Sequence, residues 1–273
     1  MIEMVKRLLL IIAAFFSWLQ TPVIEPGEHC DEDGCKLYDE EGEPVTGWVK
    51  TEDGLVYYDP ETGLKCFGTA VIDGTSFDFS EDSGLLDLHA VWISADSFIH
   101  GHKEVQKYIM IHDTEGSGAP ADVAEWMKVS RQGAVASHFI IGRDGSLVQC
   151  GHLDDILHHA GWGGPGNFDE IFGTGNNDGL GNGDDLVGTE PLYGYTSYGM
   201  NSYSIGIELV HIGGQDYPEA QLETLDRVIR YIDLYYGFEA QIIRHRDWRP
   251  SNSDTDINFE PYFENYTDHR RHN

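Results

Sequence analysis

Apolar and polar residues change period several times along the chain, and each change predicts an element. "KYIMIHDT" (Lys107–Thr114) is a continuous apolar run closed by polar residues, the pattern of a buried strand. "PADVAEWMKVS" predicts a helix starting near Ala121, and "ASHFIIGRDGSLVQC" predicts a hairpin with Asp144-Gly145 at its turn. "SYSIGIELVHI" (Ser202–Ile212) predicts another buried strand. "EAQLETLDRVIRYIDLYY" (Glu219–Tyr236) repeats at helical spacing and sets Leu222, Leu225, Val228, Ile229 and Ile232 on one face. A last strand, "AQIIRH", leads into the polar stretch "RHRDWRPSNSDTD". Strands and helices in this order predict an α/β fold, a mixed central β-sheet flanked by α-helices, over residues 94–265.

Residues 37–86 follow another rule. Gly42, Gly63 and Gly84 stand 21 residues apart, each closing an acidic turn between an aromatic residue and a short apolar strand. "GWVKTEDGLVYYD" and "GTAVIDGTSFDF" read as hairpins with Asp-Gly turns, so a small N-terminal β-hairpin repeat region is expected. Gly161 to Tyr203 is aperiodic and rich in Gly, Asn and Asp, which predicts a long loop. Its "NNDGLGNGDD" segment does not have calcium-loop spacing and reads as solvated coil.

Composition restricts the partners. Seventeen Lys and Arg oppose 47 Asp and Glu, a formal net charge of -30, so no nucleic-acid partner is expected because phosphate would be repelled. At the N-terminus, "MIEMVKR" precedes an apolar run from Leu8 to Leu19. That run is short for a bilayer span and reads as a signal peptide over residues 1–22, with an uncleaved membrane anchor and a buried helix as alternatives. Membrane contact is expected only through this segment if it stays uncleaved, and a secreted or envelope-associated location follows from it. Cys30 and Cys35 are close enough for a local disulfide, which an oxidising compartment permits; a metal site of His29 with both thiols lacks a nearby fourth ligand. Cys66 and Cys150 read as packed thiols.

Three polar residues sit where strands end: His112 in "IMIHDT", Glu208 in "SIGIEL" and His245 after "QII". Singly, each has an ordinary account, a hydrogen-bonded surface histidine or a salt-bridged carboxylate. As a group, two histidines and a carboxylate leaving one position open would suit a catalytic zinc, which polarises a carbonyl and acidifies water.

The segments "YIMIHDT", "ASHFIIGRDGSLVQ", "HHAGWGG", "SIGIELV", the Gln221 helix and "RHRDWRPSNSDTD" occur in the order and approximate spacing of zinc-dependent N-acetylmuramoyl-L-alanine amidases, the group that includes phage lysozyme-type amidases and peptidoglycan recognition proteins. The resemblance spans roughly Ser94 to Tyr262. It implies Zn2+ held by His112, His245 and Asp256, with Asp254 the alternative third ligand, and Glu208 as general base. It places His159 and Thr114 at the substrate. The reaction implied is cleavage of the amide between N-acetylmuramic acid and the L-alanine of the peptidoglycan stem, by an autolysin or phage endolysin. The rival is a non-catalytic peptidoglycan-binding protein of the same fold.

Two positions depart from the family pattern. Asp254 occupies the place of a lysine that helps stabilise the oxyanion, and a negative charge there opposes that role. Either an altered loop turns Asp254 away, or Arg249 or His159 takes over, or activity is reduced. Ser137 replaces a tyrosine found in some relatives.

Residues 37–86 resemble the glycine- and aromatic-rich cell-wall-binding repeats of wall hydrolases, which implies Trp48, Tyr57, Tyr58 and Phe77 as ligand-facing rings. The alternative is a hairpin spacer whose aromatics pack on one another. At net charge -30, attachment to an anionic wall should rest on aromatic or specific contacts. Wall binding measured by co-sedimentation should therefore change little as salt rises, and a steep loss would show an electrostatic attachment instead.

Overall fold

The computed structural model describes all residues except 1–23, 96–98, 104–105, 131–134, 161–185, 188–189, 192–198, 250–252 and 256. The chain divides into two compact units, Met1–Asp87 and Leu88–Asn273.

The first unit is a run of short antiparallel strands. β1 (Gly27–Asp31), β2 (Gly34–Tyr38) and β3 (Pro44–Val45) form one small sheet, β4 (Gly47–Lys50) pairs with β5 (Leu55–Tyr58), and β6 (Gly68–Ile72) pairs with β7 (Thr75–Phe79). The 21-residue period is a backbone feature. Gly42, Gly63 and Gly84 have φ of 80°, 72° and 68°, a region open to glycine at little steric cost. In each turn a side-chain oxygen, from Asp39, Asp59 or Ser80, accepts the backbone N–H two residues on. Asp73-Gly74, both at positive φ, make the β6–β7 turn that the Asp-Gly pair predicts. A disulfide joins Cys30 to Cys35 at a paired position of β1 and β2, which removes both thiols as metal ligands.

The second unit is built on a six-stranded sheet in the order β17-β10-β16-β11-β12-β8. It comprises β8 (Val91–Trp92), β10 (Tyr108–Asp113), β11 (Phe139–Ile141), β12 (Leu147–Gln149), β16 (Ser204–Leu209) and β17 (Gln241–Arg244). The short strands β9 (Ile99–His102) and β13 (Asp155–Leu157) pair with each other, as do β14 (Leu186–Val187) and β15 (Glu190–Pro191). β10, β16, β17 and β11 run parallel, and β12 turns back on β11. Such strands are buried on both faces, so β10 and β16 are buried along their whole length.

The helices are α1 (Pro120–Ser130), α2 (Glu219–Tyr236), the single turn α3 (His245–Trp248) and α4 (Glu260–His269). All five residues of the predicted α2 face are buried, in a cluster with Ile109, Ile111, Ile205, Ile207 and Ile242. Gly237 ends α2 in the left-handed region at φ 73°. Gln221, fully buried on the same face, donates to the carbonyls of Ile141 and Val210 and ties helix to sheet.

One expectation is corrected. No helix among the described residues is long and apolar enough to cross a membrane, and the segment expected to make that contact lies within residues 1–23, outside the described residues.

Leu225 is wholly buried between α2 and the sheet. Leu225→Ala should lower the unfolding free energy by about 2–5 kcal/mol in urea titration, and a loss well below 1 kcal/mol would contradict the packing of α2.

Candidate metal centre

Parallel pairing aligns the chemistry. His112 and Glu208 are register partners on β10 and β16, and β17 pairs with β10 up to Ile111↔Arg244, so His245 follows at the same edge. This is the carboxyl end of the parallel strands, where α/β sheets gather ligand-binding groups.

Local chemistry sets each residue. The Asp247 carboxylate accepts the Arg244 backbone N–H at 2.8 Å, turning the chain into α3 directly after β17, and fully buried Trp248 anchors that turn among Met110, Ile243 and Met200. Asp254 arrives from the following loop. Thr255 has φ 55°, unusual for a β-branched residue, and its N–H donates to Asp113 Oδ2 at 2.7 Å. The residue after one histidine thus holds the residue after the carboxylate.

His112 Nδ1 lies 3.0 Å from His245 Nδ1 and 3.1 Å from Asp254 Oδ2, and His245 Nδ1 lies 2.7 Å from the same oxygen. All three residues are buried, and one donor atom of each falls within 4.8 Å of the others. Two imidazole nitrogens and a carboxylate oxygen, with a fourth position open, fit zinc.

The electrostatics agree with that use. Burial, then the neighbouring His245, push His112 down to about 4, so its ring is neutral as a metal ligand must be. Burial alone would raise the Asp254 carboxyl, but its close contacts with His112 and His245 outweigh it and hold the group well below the usual carboxylate range. Glu208 is displaced the other way, well above an ordinary carboxyl, by burial and then by the charges of Asp254 and Asp113. Its Oε2 has no hydrogen-bond partner among the described residues, and its Oε1 faces the Ser137 hydroxyl at 3.4 Å. A buried carboxyl with a raised pKa beside a metal site is suited to proton transfer.

The expected site residues divide. His112, His245 and Glu208 come together. The carboxylate in the cluster is Asp254, the alternative ligand, while Asp256 lies outside the described residues. The negative charge that looked hostile to an oxyanion is therefore engaged with the two histidines. His159, expected at the substrate, is buried among the described residues, with both ring nitrogens bonded inside the protein. Thr114 is half-buried, and its hydroxyl donates to the Gly116 carbonyl and accepts the His211 N–H.

In the first unit Tyr57 and Tyr58 are buried, and the Tyr58 hydroxyl donates to Glu28, so Tyr58 does not present its ring to a ligand. Trp48 packs edge-on against Tyr57 and Phe77, both at 5.0 Å between centroids, as the spacer alternative expects. Sequence reasoning missed Asp113, Thr255, Asn201, Ser204 and Gly206. A polar residue at the end of an apolar strand, or a glycine in a strand interior, is the signal that could have marked Asp113, Ser204 and Gly206.

A parallel sheet that brings two histidines, a carboxylate and a buried glutamate to its carboxyl edge defines a zinc hydrolase. Residues 102–257 match the N-acetylmuramoyl-L-alanine amidase family, and the chain belongs to it. No curated protein matches the chain. Among solved structures it is similar to the N-acetylmuramoyl-L-alanine amidase LysC from Clostridium intestinale URNW, at 18% identity over 61% of this chain and 86% of that one, TM-score 0.40. It is also similar to a mutant endolysin from Bacillus subtilis, at 17% identity over 66% and 97%, TM-score 0.40. Choline binding protein F from Streptococcus pneumoniae matches at 19% identity over 23% and 21%, TM-score 0.21. These overall likenesses are weak, and the assignment rests on the matched segment.

Asp254→Ala should weaken zinc binding by more than the roughly 10–100-fold typical of losing an outer partner, with Asp256→Ala unchanged, in competition titrations against a chromophoric chelator. The opposite order would return the ligand role to Asp256.

Proposed function

We propose that the protein is a peptidoglycan hydrolase that cuts the amide between N-acetylmuramic acid and the L-alanine of the stem peptide. The observation that carries this is the convergence of His112, His245 and Asp254 beside buried Glu208, inside the segment that matches the amidase family. A purely binding role is disfavoured, because the complete donor set and the proton-transfer group are both in place.

His112, His245 and Asp254 would hold zinc, which supplies a Lewis acid for the lactyl-amide carbonyl and for water. Glu208, as carboxylate, takes a proton from the attacking water, whose oxygen forms the bond to the carbonyl carbon. The carboxyl so formed then gives that proton to the nitrogen of the leaving L-alanine as the C–N bond breaks. Its raised pKa makes it a better acceptor of the water proton than an ordinary carboxylate, and the more basic amine nitrogen then takes that proton from it. Burial of Glu208 keeps bulk water from competing for the proton.

The family is consistent with action outside the cytoplasm, and the Cys30–Cys35 disulfide agrees with an oxidising compartment. We read the apolar segment within residues 1–22 as an export signal, residues 37–86 as a wall-attachment region, and residues 94–265 as the catalytic region. The 21-residue turn repeat supports the attachment role. The enzyme would be a bacterial autolysin or a phage endolysin.

Glu208→Gln should reduce kcat/KM for stem-peptide release by roughly 100–10,000-fold with zinc content intact. In the unsubstituted enzyme the rate should fall with decreasing pH through a carboxyl pKa above the ordinary range, because the base must be ionised to act. Mass spectrometry of purified peptidoglycan digests should show free peptides with N-terminal L-alanine, and full activity in Glu208→Gln would remove the central step.

A further inference from the structure

His159 and Ala160 touch both zinc-ligand histidines from behind. His112 Nε2 lies 3.0 Å from His159 Nδ1, and His245 Nε2 lies 3.0 Å from the carbonyl of Ala160. The dipeptide is itself held, since Asn201 Oδ1 accepts both backbone N–H groups, of His159 and of Ala160, at 2.9 Å each. The His159 ring lies over β16 at Gly206, where a Cβ would come within 2.5 Å of its Cγ. Only glycine leaves room for the ring there.

The proton on each ring follows from one fixed acceptor. The Ser204 hydroxyl donates to the Met200 carbonyl at 2.6 Å, and a carbonyl cannot donate in return. The single Ser204 proton is thus committed, so at 3.1 Å from His159 Nε2 its oxygen accepts. His159 therefore carries its proton on Nε2 and offers the Nδ1 lone pair to His112. His112 in turn is protonated on Nε2, so Nδ1, the atom on the side of Asp254 and His245, is the one it can offer a metal. His245 likewise carries a proton on Nε2, because the Ala160 carbonyl only accepts, which leaves Nδ1 as the atom it can offer a metal.

We infer that the His159–Ala160 dipeptide, locked by Asn201 and Ser204, is a positioning element that holds both ligand histidines with Nε2 protonated, so that each offers Nδ1 to zinc. His159 is a positioning residue and not a substrate contact. Outer partners of this kind orient ligand rings and set their tautomers. The inference rests on the zinc-centre reading above.

Two measurements test it. In zinc-loaded, 15N-histidine-labelled protein, long-range 1H–15N correlation spectra should show His112, His159 and His245 all protonated on Nε2. A His159 ring protonated on Nδ1 would overturn the relay without any substitution. Ser204→Ala removes the acceptor at the end of the chain and should weaken zinc affinity roughly 10–100-fold, with His159 then populating both tautomers. Unchanged zinc affinity in a folded Ser204→Ala protein would overturn the inference while leaving the metal centre standing. Failure of the unsubstituted protein to bind zinc would instead overturn the centre itself.

Discussion

The parallel pairing of β10 with β16 on one side and β17 on the other is the constraint on which the site depends. Side chains alternate across a strand and register is quantised in residues, so a slip of one position would send His112 or Glu208 to the opposite face. The burial of Ile109, Ile111, Ile205 and Ile207 against α2 makes such a slip costly. The same apolar packing that stabilises the unit therefore holds the metal-binding edge in alignment.

Burying two histidines, two aspartates and a glutamate in one region is expensive unless the charges are matched. The arrangement meets this by division. Asp254 is stabilised as a carboxylate by the histidines, Asp113 accepts backbone N–H groups from Glu115 and Thr255, and Glu208 is left as the carboxyl for which ionisation is hardest. Like acids in one site are driven apart in pKa, which gives one the role of ligand and another the role of proton carrier.

In the first unit the repeating turns do the structural work. Short hairpins bury little area, so side-chain oxygens of Asp39, Asp59 and Ser80 and the glycine at each turn define the backbone locally. The aromatic residues meet the remaining need for a core: Tyr57 and Phe79 are buried, and Trp48 and Phe77 pack against them. An aromatic repeat in sequence thus reports a packed stack before it reports a ligand surface.

Much of the fold was legible in the sequence because it rests on local periodicity. The α2 face, the Asp-Gly turns and the apolar runs of β10 and β16 are patterns of period 3.6 or 2 that survive without knowledge of partners. His112, His245 and Glu208 were legible too, since each ends or follows such a run. The choice of Asp254 was not, because two aspartates two residues apart are equivalent until Thr255 is held by Asp113, a contact across 142 residues. Nor was the placement of His159, whose neighbours Ser204, Gly206 and Asn201 lie more than 40 residues away in the chain. The sequence by itself determined the elements and the types of ligand; only the tertiary structure decided which carboxylate meets the histidines and which nitrogen each ring presents, because both depend on distances between segments remote in the chain.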